Sequence, residues 1–255
     1  FTRHPFGRTF SAMGDITSKN DEESQLYTIQ LLHANKEKLE NLVSRYSTGG
    51  VTIEYSIVDN ELKDGVDAYL DQDYIDLVVM GTSGEESGAE NFVGNNTEQV
   101  IKISSCPVIS VRDGFSIQDF SNIVLAANVI KDDQIAYGLA ALRDMAECFD
   151  SHVHIVHVKE TDTNTQLNLK DYFAQMAEIA GITKFSITIL ESDEDPATGV
   201  INFATQAGAG LIAVIKNSRD GIFRIFSNHF SNRLVKEVGK PVFTYNLQNA
   251  FVNMK

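Results

Sequence analysis

Residues 75–84 read Ile-Asp-Leu-Val-Val-Met-Gly-Thr-Ser-Gly, an apolar run of strand length that closes on a turn with two glycines. The same frame returns 134 residues later, at 209–218, as Ala-Gly-Leu-Ile-Ala-Val-Ile-Lys-Asn-Ser. The correspondence spreads outward from there. Ile53 answers Ile187, Gly65-Val66 answers Gly199-Val200, and Leu77 answers Leu211. Phe92 answers Phe226, Lys102 answers Lys236, and Pro107-Val108 answers Pro241-Val242, with no gap between residues 51 and 112. A repeat of this length means two copies of one domain and not a solenoid of short units. The copies part at the turn. Gly81-Thr-Ser-Gly84 becomes Ile215-Lys-Asn-Ser218, and Gly94 becomes Asn228.

The second copy reads as strands alternating with helices. Ile123-Val-Leu-Ala-Ala127 is a short continuous apolar run, the signature of a strand buried on both faces. Ile135, Leu139, Leu142, Met145 and Phe149 then recur at helical spacing behind Asp132 and Asp133, which suit a helix start. A strand at 153–158, a helix at 166–180, a strand at 185–190 and a helix near 197–207 follow, the last ending by Gly208 and Gly210. A strand at 211–215, a helix across 228–238 and a strand at 241–245 complete the copy. Strands separated by helical crossovers predict a parallel doubly wound α/β sheet of order 3-2-1-4-5, covered on both faces.

The first copy enters this plan partway. Leu26, Ile29, Leu32, Leu39, Leu42 and Val43 mark its long second helix, and 51–58, 75–80 and 107–111 match strands three, four and five. A constant offset of 134 would put strand two at residues 18–24, which read Ser-Lys-Asn-Asp-Glu-Glu-Ser, a loop. The first domain is therefore expected to lack strands one and two in this chain, with those strands belonging to sequence ahead of Phe1 and not to another chain. Residues 1–20 are then expected to be an extended loop. The domains are read as 1–115 and 119–248, joined by so short a connection that they should pack together.

Composition sets the function classes. The 255 residues are 43% hydrophobic and 22% charged, with a net charge of −14, as in a soluble globular protein. Such an acidic surface disfavours nucleic acid as a partner, since phosphate contacts need a basic patch. No run approaches the roughly 20 apolar residues of a membrane span. Cys106 and Cys148 have no CxxC partner and read as reduced core thiols in a cytoplasmic protein.

The candidate site is the turn of the first copy. After the strand come Gly81, Thr82, Ser83 and Gly84, then nine residues, then Gly94, Asn95, Asn96 and Thr97 at the opening of a helix. Glycines let backbone N–H groups approach an anion closely, and a helix start adds unpaired N–H donors and a favourable dipole. Asn95, Asn96 and Thr97 can donate to phosphate or cap the helix. The carboxyl end of a parallel strand is where such sheets bind ligands. Turns also use glycine for ordinary reasons, so the spacing by itself leaves both readings open.

The strand, Gly81-x2-Gly84-x9-Gly94, the helix and Cys106-Pro-Val-Ile-Ser-Val111 together resemble the universal stress protein family. The resemblance spans residues 21–245 as two consecutive domains. It implies Rossmann-like domains, a cytoplasmic location, pairing of domains through their last strands and, in many members, bound ATP or AMP. The family pattern follows its last glycine with Ser or Thr, where this chain has Asn95, with Thr97 two residues on. Nucleotide-binding members also carry an Asp at the end of strand one; the second copy has Ala126-Ala127-Asn128 there. With Ile215, Ser218 and Asn228, that argues against a standard site in the second half.

Other constellations are weaker. His152 and His154 share a strand face and His157 points the other way, with no Cys or carboxylate cluster to make a metal site, so none is expected. His229 and Arg233 read as solvent-facing charge, and Asp119 as a helix cap. No Ser-His-Asp set, carboxylate pair or Walker lysine is present. The expected function is a stress-response or regulatory module that binds ATP or AMP in its first domain and is not an enzyme, slow ATP hydrolysis aside. Its expected partners are itself, through the last strands, and an unidentified protein. The alternative is a dimerisation or protein-interaction scaffold that binds no nucleotide.

Overall fold

The computed structural model describes residues 2–3, 20–58, 62–70, 75–81, 95–111, 120–129, 135–159, 168–191, 196–216 and 240–247. The elements in chain order are β1 (Thr2–Arg3), α1 (Asn20–Tyr46), β2 (Ile57–Val58), α2 (Leu62–Leu70), β3 (Val78–Gly81), α3 (Asn95–Ile103) and β4 (Val108–Val111). These are followed by β5 (Asn122–Ala126), α4 (Ile135–Cys148), β6 (His152–Lys159), α5 (Leu169–Ala180), β7 (Phe185–Glu191), α6 (Pro196–Gln206), β8 (Leu211–Lys216) and β9 (Val242–Asn246). The chain divides into two compact units, Phe1–Tyr69 and Leu70–Lys255. That division follows spatial contact, not the repeat, because β3 and β4 of the first copy join the sheet of the second.

The larger unit holds a seven-stranded sheet of order β3-β4-β9-β8-β5-β6-β7. Its last five strands are the second copy in the expected 3-2-1-4-5 arrangement, all parallel, with β5 at the centre. β5 reads Asn-Ile-Val-Leu-Ala and is buried from Ile123 onward, because helices cover both of its faces. On one face, Ile135, Leu139, Leu142 and Ala146 of α4 and Phe173 and Ala177 of α5 pack on Ile123, Leu125, Val153 and Ile155. On the other, Ala197, Val200, Ile201 and Ala204 of α6 pack on Val124, Val156, Ile212 and Val214. Each helix buries positions three and four apart, the spacing of a single stripe. α5 stops at Gly181, whose φ of 76° is left-handed and lets its N–H reach Glu178 O.

The last strands of the two copies meet. β4 pairs antiparallel with β9 in the register Val108–Thr244, Ile109–Phe243 and Ser110–Val242. Under the 134-residue offset, Ile109 faces its own counterpart Phe243, and the flanking pairs exchange places. A local two-fold axis therefore passes through the Ile109–Phe243 pair, making the seam self-complementary, as an isologous contact is. Its polar positions are equivalent but not equally satisfied. Ser110 Oγ donates to Val242 O at 3.4 Å, whereas buried Thr244 Oγ1 has no partner among the described residues.

In the smaller unit, β1 pairs in parallel with β2, Thr2 opposite Ile57 and Arg3 opposite Val58. This corrects the expectation that strand two is wholly absent. Ile57 and Glu191 are 134 residues apart, but their partners Thr2 and Lys159 are 157 apart. The first copy thus spends 23 more residues between strands two and three, and the constant offset fails upstream of residue 51. Thr2–Arg3 is the end of strand two; among the described residues nothing corresponds to strand one. Residues 20–24, expected as loop, form the first turns of the 27-residue α1. Asp21, Glu22 and Glu23 suit that place, since acidic side chains favour a helix amino end.

The expected loop at 1–20 otherwise lies outside the described residues. Strand three is shorter than expected: 51–56 is irregular and only Ile57–Val58 is strand, because pairing defines a strand and only two partner residues are there. Along α1, Leu31, Asn35, Leu39 and Val43 form a half-buried stripe, while Leu26, Ile29, Leu32 and Leu42 are exposed. No helix among the described residues is long and apolar enough to cross a membrane.

Candidate functional site

The first copy's site begins where β3 ends. β3 runs beside β4 in parallel register, and Val78 N–H extends the ladder to Pro107 O at 2.9 Å. Gly81 is the last residue of the strand and is exposed. A Cβ built there would have no heavy atom within 4 Å, so the space over this backbone is open. Its φ is not in the left-handed region, so what glycine provides here is room for close approach.

α3 starts at Asn95, as the motif predicts, with Asn96 exposed and Thr97 half-buried in its first turn. Gly81, Asn95, Asn96 and Thr97 thus stand at the strand end and helix start that the reading requires. Thr82, Ser83, Gly84 and Gly94 lie outside the described residues, as does the side chain of Asn95. Glu98 follows, half-buried and ion-paired with Lys102. The return from α3 to β4 is tied by Ser104, whose Oγ donates to Cys106 O at 2.7 Å. Burial raises the pKa of the Cys106 thiol, the direction of an inert core thiol.

The second copy's counterpart is filled. Ile215 replaces Gly81 and is 7% exposed. A Cβ on Gly138 in α4 would lie 2.8 Å from Ile215 Cγ2 and 3.2 Å from Leu247 Cδ2. α4 therefore sits as near β8 as a glycine permits, and Ile215 occupies the room that Gly81 leaves open. What remains between β5, α4 and α5, lined by Ala127, Asn128, Leu139, Phe173 and Ile215 among others, is about 20 Å³. That is space for roughly one water. Asn128 Oδ1 accepts from Val129 N–H at 3.1 Å, so this side chain closes its own turn.

The histidines behave as strand residues. The rings of His152 and His154 lie 4.6 Å apart on one face, and His157 packs on Phe173 across the sheet. His154 has its ring nitrogens 3.0 Å from Ser186 Oγ and 3.2 Å from Asn122 Oδ1, and His157 Nδ1 donates to Ala127 O at 3.0 Å. Burial, then the neighbouring His152, holds the His154 pKa below its ordinary value. Among the described residues no group of three or more metal-ligating side chains converges. His229, Arg233, Asp119, Asp132 and Asp133 lie outside the described residues.

Two features escaped the sequence reading. Gly138 interrupts a helical apolar stripe, and an isolated glycine there signals close packing. Lys216 ends the apolar run of β8 half-buried, and a lysine closing a buried strand marks a charge that needs an environment.

The comparisons bear on the same regions. A model of the universal stress protein family matches residues 8–112. A universal stress protein from Archaeoglobus fulgidus superposes with a TM-score of 0.64 at 15% identity, covering 92% of this chain and 84% of that one. One described as a putative universal stress protein from Pseudomonas aeruginosa superposes at 0.60 with 11% identity, covering 86% of this chain and 83% of its own. A further Archaeoglobus fulgidus universal stress protein, solved in complex with dAMP, matches 49% of this chain and 97% of its own at 18% identity and a TM-score of 0.39. No curated protein matches. At these identities the superpositions speak for the fold alone.

Proposed function

Because residues 8–112 belong to the universal stress protein family, we propose that this protein is a nucleotide-responsive stress or regulatory module. It binds ATP or AMP in its first copy, with the backbone of Gly81–Gly84 and Gly94–Thr97 around the phosphates. The observation that carries the reading is the contrast at one position: open space over Gly81, and Ile215 wedged against Gly138 at the equivalent place. A strand end with room for close approach, leading to a helix start, is the arrangement that receives phosphate. The second copy then serves to complete the sheet and to pair with the first. We read the protein as cytoplasmic and as a binding module, with no catalysis beyond slow hydrolysis of bound ATP.

Calorimetry with AMP and with ATP at millimolar ligand tests this reading. Binding is expected in the wild type. It should weaken at least tenfold in Gly84→Val or Gly94→Val, where a side chain blocks phosphate, and change little in Ser218→Val. Absence of binding to either nucleotide in the wild type would sink the reading. The duplicated fold would then be a protein-interaction scaffold, a reading that the self-complementary β4–β9 seam favours.

A further inference from the structure

The β4–β9 seam is antiparallel, so the strands of the two copies end at opposite rims of the sheet. α3 returns from the end of β3 to the start of β4. Its amino end therefore lies at the first copy's ligand rim and its carboxyl end points toward the second copy's. Right-handed crossovers put α3 on the same face of the sheet as α6. Lys216, the last residue of β8, projects on that face too, since strand alternation sets it with Ile212 and Val214, which pack in the α6 cluster. Its neighbour across the ladder is Asn246 of β9, the strand on which α3 packs. Lys216 thus comes from the second copy's filled site and meets the helix that opens the first copy's phosphate site.

We propose that Lys216 is a positioning residue for the first copy's anion site: its ammonium offsets the Glu98 carboxylate and so keeps the amino end of α3 attractive to phosphate. Glu98 stands in the first turn, where a fixed negative charge competes with an arriving anion for the same N–H groups and dipole. Lys102 also pairs with Glu98, but its side chain is 63% exposed, so water and salt screen it. Lys216 is half-buried and less screened. The electrostatics agree: burial lowers the Lys216 pKa, Glu98 counteracts that fall, and Lys102 adds to it. All three charges therefore act within reach of one another.

The inference rests on the phosphate site proposed above, and one set of titrations separates the two. AMP binding is measured by calorimetry in the wild type, Lys216→Met, Lys216→Arg, Glu98→Gln and the Lys216→Met/Glu98→Gln double variant. Lys216→Met is expected to weaken AMP about two- to fivefold, the scale of one screened charge at a helix terminus. Lys216→Arg should stay near wild type, and the double variant should recover wild-type affinity or better. If the wild type binds AMP and Lys216→Met binds it equally, the inference fails while the site stands. If Lys216→Met weakens binding and Glu98→Gln does not restore it, the role is structural and the inference again fails. If the wild type does not bind AMP or ATP, the site reading fails first and takes the inference with it.

Discussion

Gly81 and Ile215 close equivalent strands of one repeated fold, yet one leaves its rim open and the other seals it. The sealing is not a local substitution. Ile215 is accommodated because α4 carries Gly138 beneath it, and Leu247 closes the same spot from beyond β9. A second contrast runs alongside. Buried leucines of the second copy, such as Leu142 at 0% exposure, sit in a closed core, while Leu42 of α1 is 50% exposed. The copy with the complete core has the filled site, and the copy with the open site has little core of its own among the described residues. Stability and binding have been divided between the halves.

The largest test of that division is truncation of matched leucines. Leu142→Ala should cost about 3 kcal/mol, as burial-plus-cavity losses do, and Leu42→Ala under about 0.5 kcal/mol. Urea unfolding midpoints read both, and equal losses would break the contrast. Next is the wedge. Gly138→Ala forces a methyl group to within 2.8 Å of Ile215 Cγ2 and should cost about 2 kcal/mol, as overpacking does. In an Ile215→Ala background the same change should cost far less, and additivity in that double-mutant cycle would show that the two do not touch.

A smaller effect lies in the seam. Thr244→Val removes a buried hydroxyl that lacks a partner and should stabilise by about 1 kcal/mol, whereas Ser110→Ala at the equivalent position gives up a bond and should not stabilise. The smallest is acid sensitivity. His154 has a folded-state pKa below its unfolded value, so between the two the unfolded chain binds more protons than the folded one. Stability should fall as pH drops below about 6.5 and level off beneath the folded pKa. His154→Gln should flatten that part of a stability–pH curve, and an unchanged slope would count against it.

How far the residues foretold this fold depended on where each constraint resides. Every strand of the second copy was legible, because runs such as Ile123–Ala127 and Leu211–Ile215 are buried on both faces and carry no competing pattern. The turn at Gly81 and the helix start at Asn95 were legible for the same reason: backbone approach needs glycine, and the helix needs a beginning. Strand two of the first copy was not. Its remnant, Thr2–Arg3, has no apolar pattern and is recognisable only by its partner Ile57–Val58, which 23 extra residues push out of the repeat's frame. Gly138 beneath Ile215 and Lys216 facing α3 are tertiary facts, since each involves elements distant in sequence and neither side chain has a local pattern.

The seam also sets an order of assembly. Neighbouring strands within the second copy pair residues about thirty apart, as Val124 with His154 and Ile212 with Val242. Ser110 and Val242, across the seam, are separated by 132 residues. Closing the longer loop costs about 1 kcal/mol more in chain entropy, and such distant pairings are the slow ones. The second copy therefore condenses first from its own crossovers, and β3 and β4 join a sheet whose edge, β9, already exists. The half with the open site is thus the last to be built and depends on the sealed half as its template.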